Sequence, residues 1–428
     1  MFKVKSRILV SVVTLGLAAA ALSACSAPSG GADSGAASTS SKGDITIWYR
    51  PGSLSTSAVK GVKTEFPNVK FSILATADVD TKVTAALRAG SGLPDITTGD
   101  PVVYAQVASK FVDLGKNGFT SEVAKGYVDW KVKLGQTPSG EQIGVPIDIG
   151  PEAFYYNAPA FEAAGLSSDP DAVGKLISTW DGYQKVAEAV AATGKFACDD
   201  PSYLFKYLTW SKSALFYKQS GGSLIYDPVS SVAEDAFKKS MDFERAGLCA
   251  NVQPYTPDWA SSVSQGLTVG FINPPWVGAG LLSTTAPGQS GQWRVATATP
   301  DGYSAEDGSQ LVVPKTSANP KLATLIAIWL TNAKNSSSGF ANNGLFPSTI
   351  ASYSSDELTK GQDYFNGQQV GAILGSFAKK VPTLPKGPYT NGIDTVFQNE
   401  IVNAETSDVS AADAYKAALD KVQSQFGN

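Results

Sequence analysis

Short apolar strand patterns alternate with helical patterns along the chain after residue 43. Alternation with a period of two predicts strands at 44–49, 68–74 and 93–100, and helical periodicity predicts helices at 53–66, at 78–89 and up to about residue 109. Strands separated by helices of this length are typical of an α/β fold with a mostly parallel sheet flanked by helices. Ligands bind such sheets beyond the carboxyl ends of the strands, which are predicted here at 48–53 and 97–101.

A second stretch of the chain combines a turn signal with further strand and helix patterns. Residues 137–146 read as a hairpin that turns at Ser139 and Gly140. A strand is predicted at 153–157, followed by a helix at 158–164 that ends at Gly165. An amphipathic helix is predicted at 178–194, with Thr179 or Asp181 as its N-cap.

The first residues have the three-part pattern of an export signal. Lys3, Lys5 and Arg7 precede an apolar run at 8–22, which is too short and wrongly flanked for a convincing membrane span. The sequence Leu-Ser-Ala-Cys at 22–25 resembles a bacterial lipobox, which implies a signal peptide at 1–24 and a lipid on Cys25. The alternative is ordinary cleavage near Ala24 with Cys25 left as a free thiol.

The residues that follow support an anchored protein. Residues 26–43 are nearly all Ser, Gly, Ala and Thr, and such a segment buries too little surface to offset its ordering entropy. We therefore expect 25–43 to be a lipidated cysteine with a flexible tether. The expected location is outside the cytoplasm, on the outer face of the cell membrane.

Composition and charge describe a globular body and exclude some partners. The chain is 43% hydrophobic and 17% charged, and removal of the three basic leader residues changes its formal charge from -4 to -7. Because it has no basic run, nucleic acid is not an expected partner. The residues after 43 are too many for one typical core, so two domains are expected.

The side chains available exclude several kinds of chemistry. The chain has no histidine, which removes Ser-His-Asp catalysis and imidazole metal sites, and it has neither a phosphate-binding loop nor a dinucleotide-binding motif. Paired carboxylates leave a surface glycosidase open as an alternative. With Cys25 assigned to the lipid, Cys198 and Cys249 are expected to form a disulfide, or otherwise to be two buried thiols. No metal or other cofactor is expected.

Several motifs in one order resemble a known family. They include "YN" at 156–157, "TWD" at a helix start, "GLTVGFINPPW", "QWRVATATPDG", "GSQLVVPKTSANP" and "GLFPS". This order is similar to that of the extracellular solute-binding proteins of bacterial ABC importers, in the sugar-binding group that includes maltose-binding protein. The resemblance covers nearly all of 44–428. One departure is Thr268 and Val269, where the family often has Ala-Met.

The resemblance implies a two-lobed periplasmic-binding-protein fold. Each lobe would be a mostly parallel sheet flanked by helices, and the chain would cross the hinge three times. Lobe one is expected at 44–148 plus 304–345, and lobe two at 149–303 plus 346–428. The protein would be a monomer that captures its ligand in the interlobe cleft and delivers it to an ABC permease.

Sugar binding requires flat aromatic faces for C–H surfaces and carboxylates or amides for hydroxyls. Trp276 follows two prolines and matches a ligand-stacking Trp of the family, while Asp100 at the end of the third strand matches a common hydroxyl-binding acid or else caps the next helix. Asp148 lies at the implied hinge, or else in an exposed turn. The remaining candidates are Tyr49 and Arg50 after the first strand, Gly308 and Ser309 by family match, and Trp210 and Trp259. Core packing is the alternative for each aromatic residue.

The candidate set favours a neutral di- or oligosaccharide. Several aromatic residues and acids without an Arg or Lys cluster argue against phosphate, sulfate or carboxylate-rich ligands. Three classes of protein are weighed: an importer's binding lipoprotein, a glycosidase that releases products, and a structural or adhesive surface protein without a ligand pocket. The order of the motifs favours the binding lipoprotein, which would not be an enzyme.

Overall fold

The computed structural model describes residues 36 to 427 apart from 101–103, 105–106, 138, 213–215, 221–222, 228–230, 385, 388, 406 and 408. The predicted signal peptide and Cys25 lie outside the described residues, as does most of the predicted helix after residue 100. Ala37 packs against the core that contains Ile45 and Ile47 of the first strand.

The strands are numbered in chain order over the described residues. They are β1 Gly43–Tyr49, β2 Val69–Ala75, β3 Ile96–Gly99, β4 Val145–Pro146, β5 Gly150–Pro151, β6 Ala153–Asn157, β7 Tyr217–Ser220, β8 Ser223–Tyr226, β9 Gly270–Asn273, β10 Trp293–Val295, β11 Ala305–Glu306 and β12 Gln310–Val312.

The helices are named here by their bounds. They are Thr56–Glu65, Val79–Ala89, Ser121–Ala124, Asp129–Leu134, Ala158–Ala163, Pro170–Ile177, Trp180–Ala191, Pro201–Trp210, Ser231–Arg245, Pro257–Ser264, Leu282–Thr285, Pro320–Leu330, Ala333–Asn343, Asp356–Thr359, Val370–Ala378, Thr390–Glu405 and Ala411–Phe426. A π-helical stretch occupies Trp276–Leu281, and 3-10 turns occupy Ala108–Lys110, Leu114–Asn117, Pro287–Gln289, Ile350–Ser354 and Asp363–Phe365.

The first sheet has the strand order β2-β1-β3-β12-β4. β1 pairs in parallel with β2 and β3, as the alternation of strands and helices predicts, whereas β12 is antiparallel to both of its neighbours. Its core draws on β1, on Thr56–Glu65 and on Pro320–Leu330, with Ile45, Val62 and Ile326 buried. Residues distant in sequence thus complete one lobe, as the resemblance implies.

The second sheet corrects the prediction of mostly parallel strands. Its order is β10-β6-β9, and both pairs are antiparallel. Parallel pairing follows from single helices that connect consecutive strands, but several helices and the β7–β8 hairpin lie between β6 and β9. A chain segment of that length can return to either end of the sheet. The local sequence pattern therefore does not determine whether β9 runs parallel or antiparallel to β6.

Three segments of the chain meet where the hinge is predicted. β5 pairs with β11, and Asp148 forms a β-bridge with Pro347. The amide of Ile147 donates to the carbonyl of Ser309 at 3.1 Å, and that of Ile149 donates to the carbonyl of Phe346 at 2.9 Å. The α/β, two-lobed fold class is therefore confirmed, while the exact lobe boundaries stay a prediction.

Local details confirm one helix cap and correct the predicted hairpin. The hydroxyl of Thr179 accepts from the amide of Gly182, so Thr179 rather than Asp181 caps Trp180–Ala191. The turn at Gly140 has a φ of 87° and is closed by a bridge between Gln136 and Gln142. β4 then pairs with β12 at the edge of the first sheet instead of completing the hairpin.

The predicted disulfide between Cys198 and Cys249 is present, with the two Cα atoms 4.5 Å apart. Both residues are buried in the core of the second lobe together with the helices Trp180–Ala191 and Ser231–Arg245. The alternative of two free thiols is therefore wrong.

Candidate functional site

A cleft of about 700 Å³ opens beside the three hinge segments. The residues that line it follow strands of the first and second sheets, belong to the hinge, or lie on helices such as Pro201–Trp210 and Thr390–Glu405. They are Arg50, Pro51, Gly52, Ser53, Asp100, Asp148, Lys206, Trp210, Tyr255, Trp276, Glu306, Asp307, Gly308, Ser309, Asn343, Leu345, Asn391, Asp394, Thr395 and Gln398. Seven of the nine predicted ligand contacts belong to this lining, and Tyr49 and Trp259 do not.

Trp276 and Tyr255 form one aromatic wall of the cleft. The indole Nε1 of Trp276 donates to the hydroxyl oxygen of Tyr255 at 2.7 Å. The indole lies against the backbone of Gly150, where an added Cβ would be 2.4 Å from Cη2 of Trp276. Tyr255 is 57% exposed and has a φ of 70°, a left-handed conformation that costs free energy for a residue with a large side chain.

Asp148, Gly308 and Ser309 form the floor of the cleft at the hinge. Oδ1 of Asp148 accepts a hydrogen bond from the amide of Ser309 at 2.7 Å. Gly308 has a φ of 62°, and an added Cβ would lie 2.4 Å from the carbonyl oxygen of Asp148. Asp148 is only 4% exposed, so the alternative of an exposed turn is wrong. Burial raises the pKa of its carboxyl group, and the nearby Lys131 opposes that rise.

Lys131 lies beneath this floor and is fully buried. Its ammonium group donates to the backbone carbonyl of Asp307. Burial lowers the pKa of Lys131 to about 8, and the charges of Asp148 and Asp307 oppose that change. The positive charge of Lys131 therefore partly balances the negative charges of Asp148 and Asp307, although Lys131 does not itself line the cleft.

Trp210 also lines the cleft and is 4% exposed. Its Nε1 donates to Oδ2 of Asp394 at 2.9 Å. The ammonium nitrogens of Lys386 and Lys206 lie 3.0 Å and 4.5 Å from its ring centroid. Cations therefore cover part of the aromatic surface that the sequence assigned to a ligand.

Both lysines at Trp210 are also ion-paired. Lys206 contacts Glu306 at 2.7 Å, and Lys386 contacts Asp307 at 2.6 Å. Asp394 keeps one carboxylate oxygen, Oδ1, without a hydrogen-bond partner within the described protein. Burial raises the pKa of Asp394 to about 7. The lining thus contains several acceptors for hydroxyl groups and no group of lysines or arginines without acids beside them.

Asp100 and Arg50 lie at the carboxyl edge of the first sheet. Oδ2 of Asp100 accepts from Nδ2 of Asn391 at 3.0 Å. Arg50 forms an ion pair with Asp80, and its backbone amide donates to Oγ1 of Thr98 at 3.0 Å. The edge expected to hold the ligand therefore does contribute to the cleft.

Two predicted contacts lie elsewhere. Trp259 is fully buried, and its Nε1 donates to Oδ2 of Asp199 at 3.1 Å inside the second lobe. It follows Thr256, whose hydroxyl caps the helix Pro257–Ser264, and this cap turns the indole toward the core. Tyr49 packs against the core of the first lobe. For both residues the core-packing alternative describes the structure.

Sequence reasoning missed Tyr255, Lys206, Glu306, Asp307, Asn391 and Asp394. Tyr255 lies between two prolines, as Trp276 follows two, so the same turn signal could have found it. Lys206 is one helical turn before Trp210, a spacing that places both on one face. Asn391 and Asp394 gave no such signal, because their helix reads as an ordinary amphipathic one.

Neither a metal site nor a membrane span is found in the described part of the chain. No group of three or more acids and cysteines there is arranged to hold a metal ion. None of the helices described is both long and apolar enough to cross a bilayer.

Two lobes, a three-segment hinge and a polar and aromatic cleft are typical of proteins that bind a small ligand between two lobes. The family model of bacterial extracellular solute-binding proteins matches residues 58–366. The chain belongs to this family of bacterial extracellular solute-binding proteins. Members of the family are binding proteins rather than enzymes, and they work outside the cytoplasm.

Similar proteins agree with this assignment. A lactose-binding protein of Rhizobium radiobacter is 25% identical over 381 residues, which is 82% of this chain and 86% of the relative. The crystal structure of a family 1 extracellular solute-binding protein is 27% identical, has a TM-score of 0.81, and is matched over 89% of this chain and 99% of its own. A binding protein of B. animalis subsp. lactis Bl-04, solved with β-1,6-galactobiose, shares the fold at a TM-score of 0.70 and 22% identity, over 90% of this chain and 99% of its own.

Proposed function

We propose that this chain is the substrate-binding lipoprotein of an ABC importer and that it captures a neutral di- or oligosaccharide in the cleft. The observation that carries the proposal is the Trp276–Tyr255 wall beside the hydroxyl acceptors Asp148, Asp100 and Asp394. An aromatic face covers the C–H surface of a sugar ring, and carboxylates accept from its hydroxyl groups. The volume of about 700 Å³ suits a small molecule.

The charges of the cleft support a ligand without a net charge. Arg50, Lys206 and Lys386 are each paired with an acid. A phosphate or a carboxylate-rich ligand would have to break these pairs and would meet Asp148 and Asp394. Hydroxyl groups impose no such cost, because each can donate to an acid and accept from a neighbouring donor.

Six of the predicted contacts have distinct roles in this proposal. Trp276 stacks on a ring, with Tyr255 fixing its indole. Asp100 and Asp148 accept from hydroxyl groups, and Gly308 with Ser309 lets the ligand approach the backbone. Trp210 holds Asp394 and the lysine pairs in place rather than stacking alone.

The proposed lobe boundaries are 44–148 plus 304–345 and 149–303 plus 346–428. The separate cores support them in large part, because the core around β1 draws on residues before 148 and on 311–330, while the cores around β6 draw mainly on 149–303 and 346–422. Phe340 is an exception, since it packs in a core around β6. Closure of the lobes about the three hinge segments would bury the ligand and present one surface to the permease. The protein would act as a monomer.

The proposed attachment is a lipid on Cys25, with residues 26–43 between it and the body. The order of a signal pattern, a cysteine and a Ser/Gly-rich segment supports it. Replacing Cys25 with Ser should release the protein from the membrane fraction into the medium, while a Ser26→Ala control stays attached. Release of neither variant would contradict the anchor.

The decisive test is a thermal-shift screen of the chain without residues 1–25. Lactose, β-1,6-galactobiose, maltose and cellobiose are the probes, with amino acids and short peptides as controls. A ligand at 100 times its dissociation constant stabilises by about 2.7 kcal/mol, which should raise the melting temperature by a measurable amount. A shift with sugar recovered intact supports the proposal. Cleaved sugar, a shift only with amino acids or peptides, or no shift at all would overturn it.

A further inference from the structure

Two separate segments of the second lobe supply the aromatic wall of the cleft. Tyr255 lies in the segment that follows the disulfide residue Cys249, and Trp276 lies three residues after the last residue of β9, Asn273. The hydrogen bond between the two rings forms only if both segments are held at the right separation. A contact beneath the wall is therefore expected to hold the two segments together.

Asp199 lies beneath the wall and contacts both segments. Its Oδ2 accepts from Nδ2 of Asn273 at 2.7 Å and from Nε1 of Trp259 at 3.1 Å. Its Oδ1 accepts from the amide of Asp200 at 3.0 Å. At 2% exposure, this carboxylate is out of reach of a ligand, so any effect on binding must pass through its partners.

The disulfide fixes Asp199 to the segment that bears Tyr255. Cys198 precedes Asp199 and is bonded to Cys249. The carbonyl of Cys198 accepts from the amide of Ala250 at 3.0 Å, and that of Asp199 accepts from the amide of Val252 at 2.9 Å. This segment contains two left-handed residues, Asn251 with a φ of 53° and Tyr255 with a φ of 70°. Its attachments therefore hold a conformation that is costly for the free chain.

We propose that Asp199 is a positioning residue for ligand binding, which joins the segments of Tyr255 and Trp276 and is itself held by the Cys198–Cys249 disulfide. The inference rests on the proposed function, because the Trp276–Tyr255 wall is taken to be a ligand contact. It deepens that function by making affinity depend on a buried carboxylate and a disulfide outside the cleft.

The ionised form of Asp199 is the one that accepts two hydrogen bonds at Oδ2. Burial and the charge of Asp200 raise the pKa of Asp199 to about 7. The other titratable groups that face it are Tyr183 and Tyr203, on Trp180–Ala191 and Pro201–Trp210, and burial raises the pKa of each. Protonation below pH 7 turns an acceptor oxygen into a donor, which weakens the bonds to Asn273 and Trp259.

The adjacent Asp200 provides a matched control. It is equally buried and caps Pro201–Trp210 by accepting from the amide and hydroxyl of Ser202. Asn is as good an N-cap as Asp, so Asp200→Asn keeps the helix. Asp199→Asn also removes one charge, but its side chain has only one acceptor oxygen. If that oxygen accepts from Asn273 and the indole of Trp259, the new NH2 group faces the backbone amide of Asp200, a donor against a donor.

The binding test is calorimetric titration with lactose and with β-1,6-galactobiose at pH 6 and pH 8. We expect the unmodified protein to bind more tightly at pH 8, and Asp199→Asn to bind about tenfold more weakly there. Burial also raises the pKa of Asp394 in the cleft to about 7, so the informative quantity is the pH dependence that Asp199→Asn loses. Asp200→Asn should keep that dependence but move it to lower pH, because the charge of Asp200 contributes to the raised pKa of Asp199. Equal affinities and equal pH profiles for the two variants would overturn the proposal.

A measurement without ligand separates this inference from the proposed function. Hydrogen–deuterium exchange of segments 249–256 and 270–281 should be faster in Asp199→Asn than in Asp200→Asn. In the unmodified protein, exchange corrected for its intrinsic rate should rise below pH 7 and after reduction of the disulfide. If no sugar binds, the proposed function fails while these exchange data still decide the role of Asp199. Unchanged exchange in the unmodified protein under both conditions would contradict that role even if Asp199→Asn failed to fold.

Discussion

The side-chain amide of Asn391 donates a hydrogen bond of 3.0 Å to Oδ2 of Asp100. Asp100 follows the last residue of β3 in the first sheet, and Asn391 lies in the first turn of Thr390–Glu405, whose core belongs to the second lobe. Under the proposed lobe boundaries this bond spans the cleft. The bond therefore requires the two lobes to be close together, and we expect it to act as a latch on the closed state.

Replacing Asn391 with Asp should weaken this latch. Two carboxylates would then face each other, and like charges at about 4 Å repel by roughly 1 to 4 kcal/mol between water and a protein surface. We expect weaker sugar binding and a larger radius of gyration in small-angle scattering. Asn391→Ala removes the bond without adding charge, so its effect should be smaller. Identical scattering for all three proteins would contradict the latch.

Replacing Trp276 with Ala should weaken sugar binding by roughly 10- to 100-fold, or about 1.4 to 2.8 kcal/mol, because the ring face and the hold on Tyr255 are both lost. The melting temperature without ligand should change little, since the side chain is only partly buried. Calorimetric titration and thermal unfolding measure the two quantities.

Trp329 is the control for that substitution. It packs edge-on against Phe66 at 6.0 Å between ring centroids and lies outside the cleft lining. Trp329→Ala should lower the melting temperature and leave the affinity unchanged. The opposite pattern, with stability lost in Trp276→Ala and affinity kept, would make Trp276 a packing residue.

Gly308→Ala should destabilise the hinge more than Gly140→Ala destabilises its turn. Both glycines have positive φ, 62° and 87°, which costs an alanine about 1 to 2 kcal/mol. Only at Gly308 does the new Cβ meet backbone, 2.4 Å from the carbonyl oxygen of Asp148, whereas nothing lies within 4 Å at Gly140. Overpacking adds about 1 to 3 kcal/mol, which urea unfolding can resolve. Equal losses of unfolding free energy in the two variants would show that the hinge backbone accommodates the added methyl group without further cost.

Glu152→Gln should make the protein more resistant to alkaline destabilisation. Burial and the charge of Glu306 raise the pKa of Glu152 to about 8 in the folded state, above the value of 4.5 expected for the unfolded chain. The folded state thus binds this proton more tightly, and the resulting stability is complete below about pH 4.5 and lost as the pH rises through 8. Glutamine carries no such proton.

Urea unfolding at pH 5, 7 and 9 measures this difference. The gain of Glu152→Gln over the unmodified protein should grow between pH 5 and pH 9. Glu65 is an exposed glutamate at the end of Thr56–Glu65, and Glu65→Gln is expected to follow the profile of the unmodified protein. A gain that does not change with pH would contradict the assigned pKa.

The sequence predicted well wherever a signal is local. Single helices connect β1, β2 and β3, so periodicity located these elements, although the helix predicted at 53–66 begins only after its N-cap Ser55. It predicted poorly where partners are distant in sequence. The antiparallel entry of β9 and the insertion of β12 depend on packing between segments that no window of residues contains.

In the candidate site too, residues with a local sequence signal were predicted, and residues placed by distant contacts were not. Trp276 was found because two prolines exclude it from a central strand, and Asp100 because it follows a strand. Trp259 lies in the first turn of Pro257–Ser264, and its indole donates to the carboxylate of Asp199 in the core. Asp394 acquires its role from the indole of Trp210, a contact between helices far apart in the chain.

Strand β12 lies between β3 and β4, although it follows both of them and much of the second lobe in the sequence. A growing chain that ends before residue 310 therefore has a vacant position in its first sheet, with the backbone groups of β3 and β4 unpaired on either side of it. Unpaired edges of this kind template pairing with other chains, and contacts distant in sequence form slowly. We therefore expect the N-terminal portion to be prone to aggregation until β12 has been synthesised, and the first sheet to close only late in synthesis.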